Sequence, residues 1–179
     1  MIVINDNEIV LKVLKGETDE FRHLVAKYQQ PLFNYAFRHT RDVDLAKDVT
    51  QQVFLKTYEK LNSFDTKRKF FSWIFRITVN ETINFMKYNR KYLPIDTMKN
   101  IPIAESQTET ENKEIKDRVQ KAIMRLDHKY RTLILLKHFE DYSYSEIADI
   151  LEIPEKKVKS RLFTAREKLT KLLQRELLR

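Results

Sequence analysis

Residues 145–166 read SEIADILEIPEKKVKSRLFTAR. Ile147, Ala148 and Leu151 fall on one side of a helix over 144–151, and Val158 and Leu162 on the inner side of another over 155–176. Ser143 precedes Glu146 by three residues, the spacing of a capping box that opens the first helix. Pro154 suits the first turn of the second, where a missing N–H costs nothing. Ile153 fills the turn between them, and Ala148 is small where the helices cross. Two short helices joined this way make a helix-turn-helix, whose second helix enters the major groove of DNA. Its outward positions here are Lys156, Lys157, Lys159, Ser160, Arg161 and Thr164, with Arg166 completing the DNA-binding set. Residues 155–175 carry eight basic and two acidic side chains, a net +6 that can neutralise phosphates and meet guanine edges. The plainer reading is a solvated amphipathic helix; the agreement of pattern and charge favours DNA. Glu152 stands where the turn often uses glycine, which asks a residue with a Cβ to adopt strained backbone geometry.

The rest of the composition agrees with helices. The 179 residues include one glycine, four prolines and no cysteine. Dinucleotide-binding loops, phosphate-binding loops and nucleophile elbows each need at least two glycines. Tight hairpins also prefer glycine, and Gly16 alone cannot serve several. Without cysteine there is no disulfide, thiol catalysis or thiolate zinc site. The longest uncharged run, 28–37, is far shorter than the ~20 residues that span a bilayer. Met1 to Ile4 are apolar but followed by Asp6 and Glu8, so no signal peptide is expected. The expectation is a cytoplasmic chain without membrane insertion. His23, His39, His128 and His138 show no metal-ligand spacing, and the helix-end positions of His39 and His138 suit a solvated or capping role. Asp42, Asp44 and Asp48 are the one acidic cluster to weigh for magnesium. No catalytic residue, metal or cofactor is expected.

The net charge of +8 is unevenly spread. Residues 1–90 carry +4, residues 91–114 carry −2 and residues 115–179 carry +6. The middle stretch holds Pro94 and Pro102, then an acidic run without apolar period, and reads as a linker. The expected fold is all-α: two small helical domains, 1–90 and 114–179, joined by a flexible linker over 91–113. In the first domain, Ile9, Val10, Val13 and Leu14 suggest a short helix ending near Gly16. A second runs from about 19 to 39, with Pro31 as a site for a kink. A third carries Leu45, Val49, Val53, Phe54, Tyr58 and Leu61, with Asp42 or Asp44 as its cap, and a fourth spans 69–90. The second domain reads as three or four helices.

Two N-terminal stretches carry chemistry. In DLAKDVTQQVFLK (44–56), Asp44, Asp48, Gln51 and Gln52 fall on one side of a helix and set carboxylates and amides together. The stretch 62–91 combines Phe64, Phe70, Phe71, Trp73, Phe75, Phe85 and Tyr88 with a basic set, and 66–91 carry seven basic side chains against one acidic. Aromatic faces beside cations suit unstacked bases on a single strand; an aromatic core under a basic surface is the alternative. Arg76, Asn80, Asn84 and Lys87 form a polar row along one helix face.

With these motifs in view, the chain resembles a compact sigma factor of the sigma-70 family, the extracytoplasmic-function type, over nearly its whole length. DLAKDVTQQVFLK resembles the family's core-polymerase-binding helix, with Gln52 in place of the common Glu. SWIFRITVNETINFMK (72–87) resembles the helix that engages the promoter −10 element, with Asn84 and Lys87 for the more usual Asp and Arg. Residues 126–169 resemble the −35-reading domain, with Lys156-Lys157-Val158 where Gly-Thr-Val is usual. The resemblance implies a factor that binds core RNA polymerase and directs it to promoter DNA, assisting melting. It implies that Asp44, Asp48, Gln51, Gln52 and Phe54 contact polymerase. It further implies that Phe64, Lys67, Arg68, Lys69, Trp73, Arg76, Asn80, Asn84 and Lys87 meet the −10 element, the 62–71 loop helping to hold a flipped base. An anti-sigma partner that occludes the polymerase-binding surface is also implied.

Two promoter elements about two helical turns apart are separated by roughly 70 Å. Fully extended, 23 linker residues reach about 75–80 Å, but as a free coil only about 25–30 Å. The polymerase must therefore set the spacing, and the acidic 105–114 segment suits a basic protein channel better than DNA. The rival expectation is a stand-alone helix-turn-helix regulator, which binds duplex DNA alone, usually as a dimer on paired half-sites.

Overall fold

The computed structural model describes residues 5–92 and 110–177, with side chains over 5–88 and 115–175. Among these every regular element is helical. The chain divides into two compact units, Met1–Lys99 and Asn100–Arg179. Most of the expected linker, including the first part of its acidic run (105–109), lies outside the described residues, while 110–113, expected as linker, already belong to a helix.

The N-terminal unit contains α1 (Asp6–Leu14), α2 (Phe21–Thr40), α3 (Val43–Glu59) and α4 (Phe70–Tyr92), with short 3-10 turns at Thr18–Glu20 and Leu61–Ser63. Helices α2, α3 and α4 pack on one another, and α1 lies against α2 and the second 3-10 turn. Gly16 follows α1 at φ 103°, a conformation L side chains rarely adopt, so the chain's one glycine sits where the backbone needs it. Asp42, and not Asp44, caps α3: its carboxylate accepts from the Leu45 N–H at 2.9 Å. Helix α2 continues through Pro31. Leu24, Leu32, Tyr35, Val49, Val53, Phe70, Ile74 and Phe75 form the buried centre. Thr78 and Thr82 are buried too, each donating its hydroxyl to a carbonyl one turn back, at 2.9 and 2.7 Å. His39 departs from expectation. It is buried beside the Tyr35 ring (5.8 Å), because the helix end that carries it is itself covered.

The C-terminal unit has four helices: α5 (Thr110–Met124), α6 (His128–His138), α7 (Tyr144–Leu151) and α8 (Glu155–Leu177). Helix α8 packs against the other three. The inner face of α7 is Ile147 and Ile150, while Ala148 and Leu151 are only half-buried, a rotation from the expected face. The capping box forms in full, with Ser143 accepting from the Glu146 N–H and Glu146 from the Ser143 N–H. Arg131 is completely buried. Its Nε donates to the Ile123 carbonyl (3.2 Å), and Nη2 donates to the carbonyls of Met124 and Leu126. These are carbonyls at and just beyond the last turn of α5, where the helix leaves acceptors open and the dipole favours a cation.

Glu152 closes α7 in the left-handed region, at φ 50° and ψ 46°. Holding a residue with a Cβ there costs about 1 kcal/mol or more, part of which glycine would return through greater unfolded-state freedom. Glu152→Gly is expected to stabilise the C-terminal unit by about 0.5–1 kcal/mol, read as a rise in urea midpoint at constant m-value. A fall in midpoint would show that the Glu152 side chain contributes more than the strain costs.

Candidate nucleic-acid and partner interfaces

On α3, the buried stripe Ala46, Val49, Val53 and Thr57 leaves the opposite side outward. Asp44, Asp48 and Gln51 are exposed there on successive turns, and Gln52 is half-buried at the edge. The row continues into Leu55, which is 53% exposed, with Tyr58 exposed nearby. Phe54 is half-buried and edge-on to Phe21 (6.4 Å), and Tyr58 meets the same ring at 5.2 Å. Phe54 thus divides its surface between packing and solvent. Sequence reasoning did not single out Leu55. Its position seven residues after Asp48 places it in the outward row, and that was the available signal.

On α4 the buried stripe includes Phe70, Ile74, Phe75, Val79 and Met86. Trp73, Arg76, Asn80, Asn84 and Lys87 recur at helical spacing on another side, in line with Lys69 just ahead of the helix. Lys69, Asn80, Asn84 and Lys87 are exposed, while Trp73 and Arg76 are half-buried. Glu81, the single acidic residue of 66–91, is buried and takes Lys56 of α3 at 2.6 Å. The face therefore keeps its positive charge. Ahead of α4, Lys67, Arg68 and Lys69 are exposed in a turn where the Asp65 carboxylate accepts from the Lys67 N–H (3.0 Å).

Phe64 sits differently from its neighbours in the set. It is 6% exposed, edge-on to Phe70 (5.4 Å) and packed against Trp73 (5.1 Å). In the free chain its ring is core and offers no face for a base. What it does is hold Trp73 at the rim.

On α8, Val158, Leu162 and Ala165 are buried. Lys156, Lys157, Lys159, Ser160 and Arg166 are exposed, and Arg161 and Thr164 are half-buried. Lys159 is steered by Glu155 (2.6 Å) and lies over the Tyr144 ring (5.5 Å), tying α8 back to α7. Arg166 Nε donates to His138 Nε2 (3.3 Å). Burial, Arg166 and Lys137 hold His138 below the usual imidazole range, so this acceptor stays unprotonated near neutral pH. Phe163, absent from the sequence-derived set, is 63% exposed and shares a side with Lys156 and Ser160. A bulky ring left outward between two buried positions was the available signal.

Among the described residues no three His, Asp or Glu side chains gather as a metal site, and no helix is long and apolar enough to cross a membrane.

Two separate compact units, one presenting a basic helix face beside an amide and carboxylate row, the other a basic helix-turn-helix, match known sigma-70 proteins region by region. Residues 24–92 match the family model for sigma-70 region 2, and residues 116–169 that for sigma-70 region 4. The chain is 32% identical to the ECF RNA polymerase sigma factor SigW of Bacillus subtilis, covering 92% of this chain and 94% of the relative. It is 31% identical to the RNA polymerase sigma-H factor of Pseudomonas aeruginosa, covering 94% of each. Among solved structures, CnrH in complex with the cytosolic domain of CnrY superposes with a TM-score of 0.72 at 25% identity, covering 94% of this chain and 97% of that one. The sigma factor RpoE, solved with the anti-sigma factor NepR from Bartonella quintana, shares the fold, with a TM-score of 0.67 at 24% identity over 87% of this chain and 97% of that one. The chain belongs to the extracytoplasmic-function (ECF) RNA polymerase sigma factors.

The burial of Phe64 has a direct consequence. Phe64→Ala is expected to destabilise the N-terminal unit by about 3–5 kcal/mol, measured by denaturant unfolding. A loss below about 1 kcal/mol would place the ring outside the core.

Proposed function

We propose that this sigma factor binds core RNA polymerase through α3 and reads two promoter elements, the −10 element with α4 and its preceding loop and the −35 element with α8. One observation carries the reading: each basic face belongs to a different compact unit, in the order region 2 then region 4. On this reading the functional domains are 1–90 and 114–179, with 91–113 joining them. Polymerase contact falls to Asp44, Asp48, Gln51 and the exposed Leu55, with Gln52 and Phe54 at the margin. Leu55 adds apolar area inside a polar row, the composition expected at the centre of a protein–protein patch.

At the −10 element, Lys67, Arg68 and Lys69 hold phosphates, while Trp73, Arg76, Asn80, Asn84 and Lys87 follow the strand. Unstacking a base costs a few kcal/mol and aromatic stacking returns about 1–3 kcal/mol. The near balance makes melting a joint act with polymerase. At the −35 element, Lys156, Lys157, Lys159, Ser160, Arg161, Thr164 and Arg166 face the major groove, with Phe163 placed for a thymine methyl. The working compartment is then the cytoplasm, where polymerase and promoters are. An anti-sigma factor is a further partner on this reading, since the exposed Leu55 and Tyr58 offer a surface for a competitor of polymerase.

Gel filtration with purified core polymerase tests the first half. A stable complex is expected, and Asp48→Ala should weaken it about tenfold without changing the unfolding midpoint. Normal competition by that variant would remove α3 from the interface. Dimeric binding to duplex half-sites with no affinity for core would favour a stand-alone regulator instead. For the second half, Arg161→Ala and Lys159→Ala should each reduce the salt slope of holoenzyme binding to −35 duplex by about 1. Unchanged slopes in both would move the interface off α8.

A further inference from the structure

The cation triplet 67–69 lies in a short stretch between a 3-10 turn and α4, where three adjacent positive charges repel one another. Both flanks of that triplet are anchored to the start of α1. On one side, Asn7 Nδ2 donates to the Thr66 carbonyl at 2.7 Å, a link between residues 59 apart in sequence. On the other, the Asp6 carboxylate accepts from Tyr28 Oη at 2.6 Å, and the Tyr28 ring packs on Phe70 (5.7 Å) and Phe71 (6.3 Å) at the first turn of α4. Asp6 also takes Lys27 Nζ at 2.7 Å. Asn5 completes the arrangement by accepting from the Asn7 N–H (3.2 Å), which fixes the helix start that carries both anchors. Between α1, α2 and the triplet is an open cleft of about 520 Å³, lined by Asn5–Asn7, Lys27 and Lys67–Lys69 among others.

We propose that Asn7 and Asp6 of α1 are positioning residues for the −10-reading loop: they pin Thr66 and, through Tyr28, Phe70, so that Lys67, Arg68 and Lys69 are presented in one fixed order along the cleft. This rests on the proposed −10 role of the loop. Nothing in α1 itself need touch DNA. Its contribution is to remove loop freedom before binding, so that the ordering cost is met during folding and not at the promoter. Asn7 acts by donating one hydrogen bond to a backbone carbonyl. An isosteric carboxylate has no N–H to donate and faces that carbonyl with negative charge.

The test uses full-length protein with Asn7→Ala, Asn7→Asp and Asn7→Gln, and Tyr28→Phe as the second anchor. Hydrogen exchange, which needs no DNA, should show amides of 65–69 exchanging about three- to tenfold faster in the first two variants, with α2 and α3 unchanged. In holoenzyme, affinity for a single-stranded 12-mer carrying the −10 segment of a promoter mapped for this factor should fall by a similar factor. Core affinity should stay constant, and Gln should recover part of the loss. Tyr28→Phe should speed exchange at 69–71. Unchanged exchange over 65–69 in both Ala and Asp variants would overturn the proposal. So would faster exchange spread evenly over the N-terminal unit, which would mean general destabilisation. If the wild-type holoenzyme fails to bind the 12-mer while exchange responds as expected, the positioning stands and the −10 assignment of the loop falls.

Discussion

The rotation of α4 about its own axis is the constraint on which the N-terminal unit depends. A 23-residue helix can present its basic row in one direction only if its other side is committed. The commitment is made by Phe70, Ile74, Phe75, Val79 and Met86, with Thr78 and Thr82 buried among them because each satisfies its hydroxyl within the helix. Rotating α4 by one residue would bring Asn80 or Lys87 inward, and burying such groups unpaired costs several kcal/mol. The Glu81–Lys56 pair adds direction to this packing. It joins α4 to α3 and takes the one acidic group out of the basic face. The basic row of α4 and the polar row on α3 are thus fixed relative to each other by a shared core.

In the C-terminal unit the corresponding commitment is made by a charge. Arg131 comes just before the buried run Thr132–Leu136 and is itself fully buried because the open carbonyls near the end of α5 receive its donors. That joins α5 to α6 in a set direction and leaves α8 to pack across the result. Helix α8 then needs only a short turn from α7, and Glu152 makes it at some backbone cost. The two units solve one problem by different means: a large buried stripe in the first, a satisfied buried cation and a strained turn in the second.

Much of this was legible in the sequence where the information is local. The capping box at Ser143 and Glu146, the left-handed turn at Glu152 and the limits of α7 all follow from residues within a few positions of one another. The grouping of Asn80, Asn84 and Lys87, or of Asp44, Asp48 and Gln51, on single faces follows from helical spacing alone. What spacing cannot carry is which way a ring or an arginine turns. An aromatic beside three cations reads the same whether its ring faces a base or, like Phe64, the core. Arg131 and His39 read as surface residues by type and are buried by non-local partners. The Asn7 to Thr66 bond joins distant parts of the chain and has no sequence signature.

On the proposed reading, two basic faces on separate units act together, at a spacing set by polymerase. Transcription by this factor with purified core polymerase on fragmented genomic DNA, followed by mapping of start sites, tests it most directly. Discrete starts are expected, each preceded by two sequence elements about two helical turns apart with little variation in spacing, and none with core alone. Starts preceded by a single element, or by two whose separation varies freely, would contradict it.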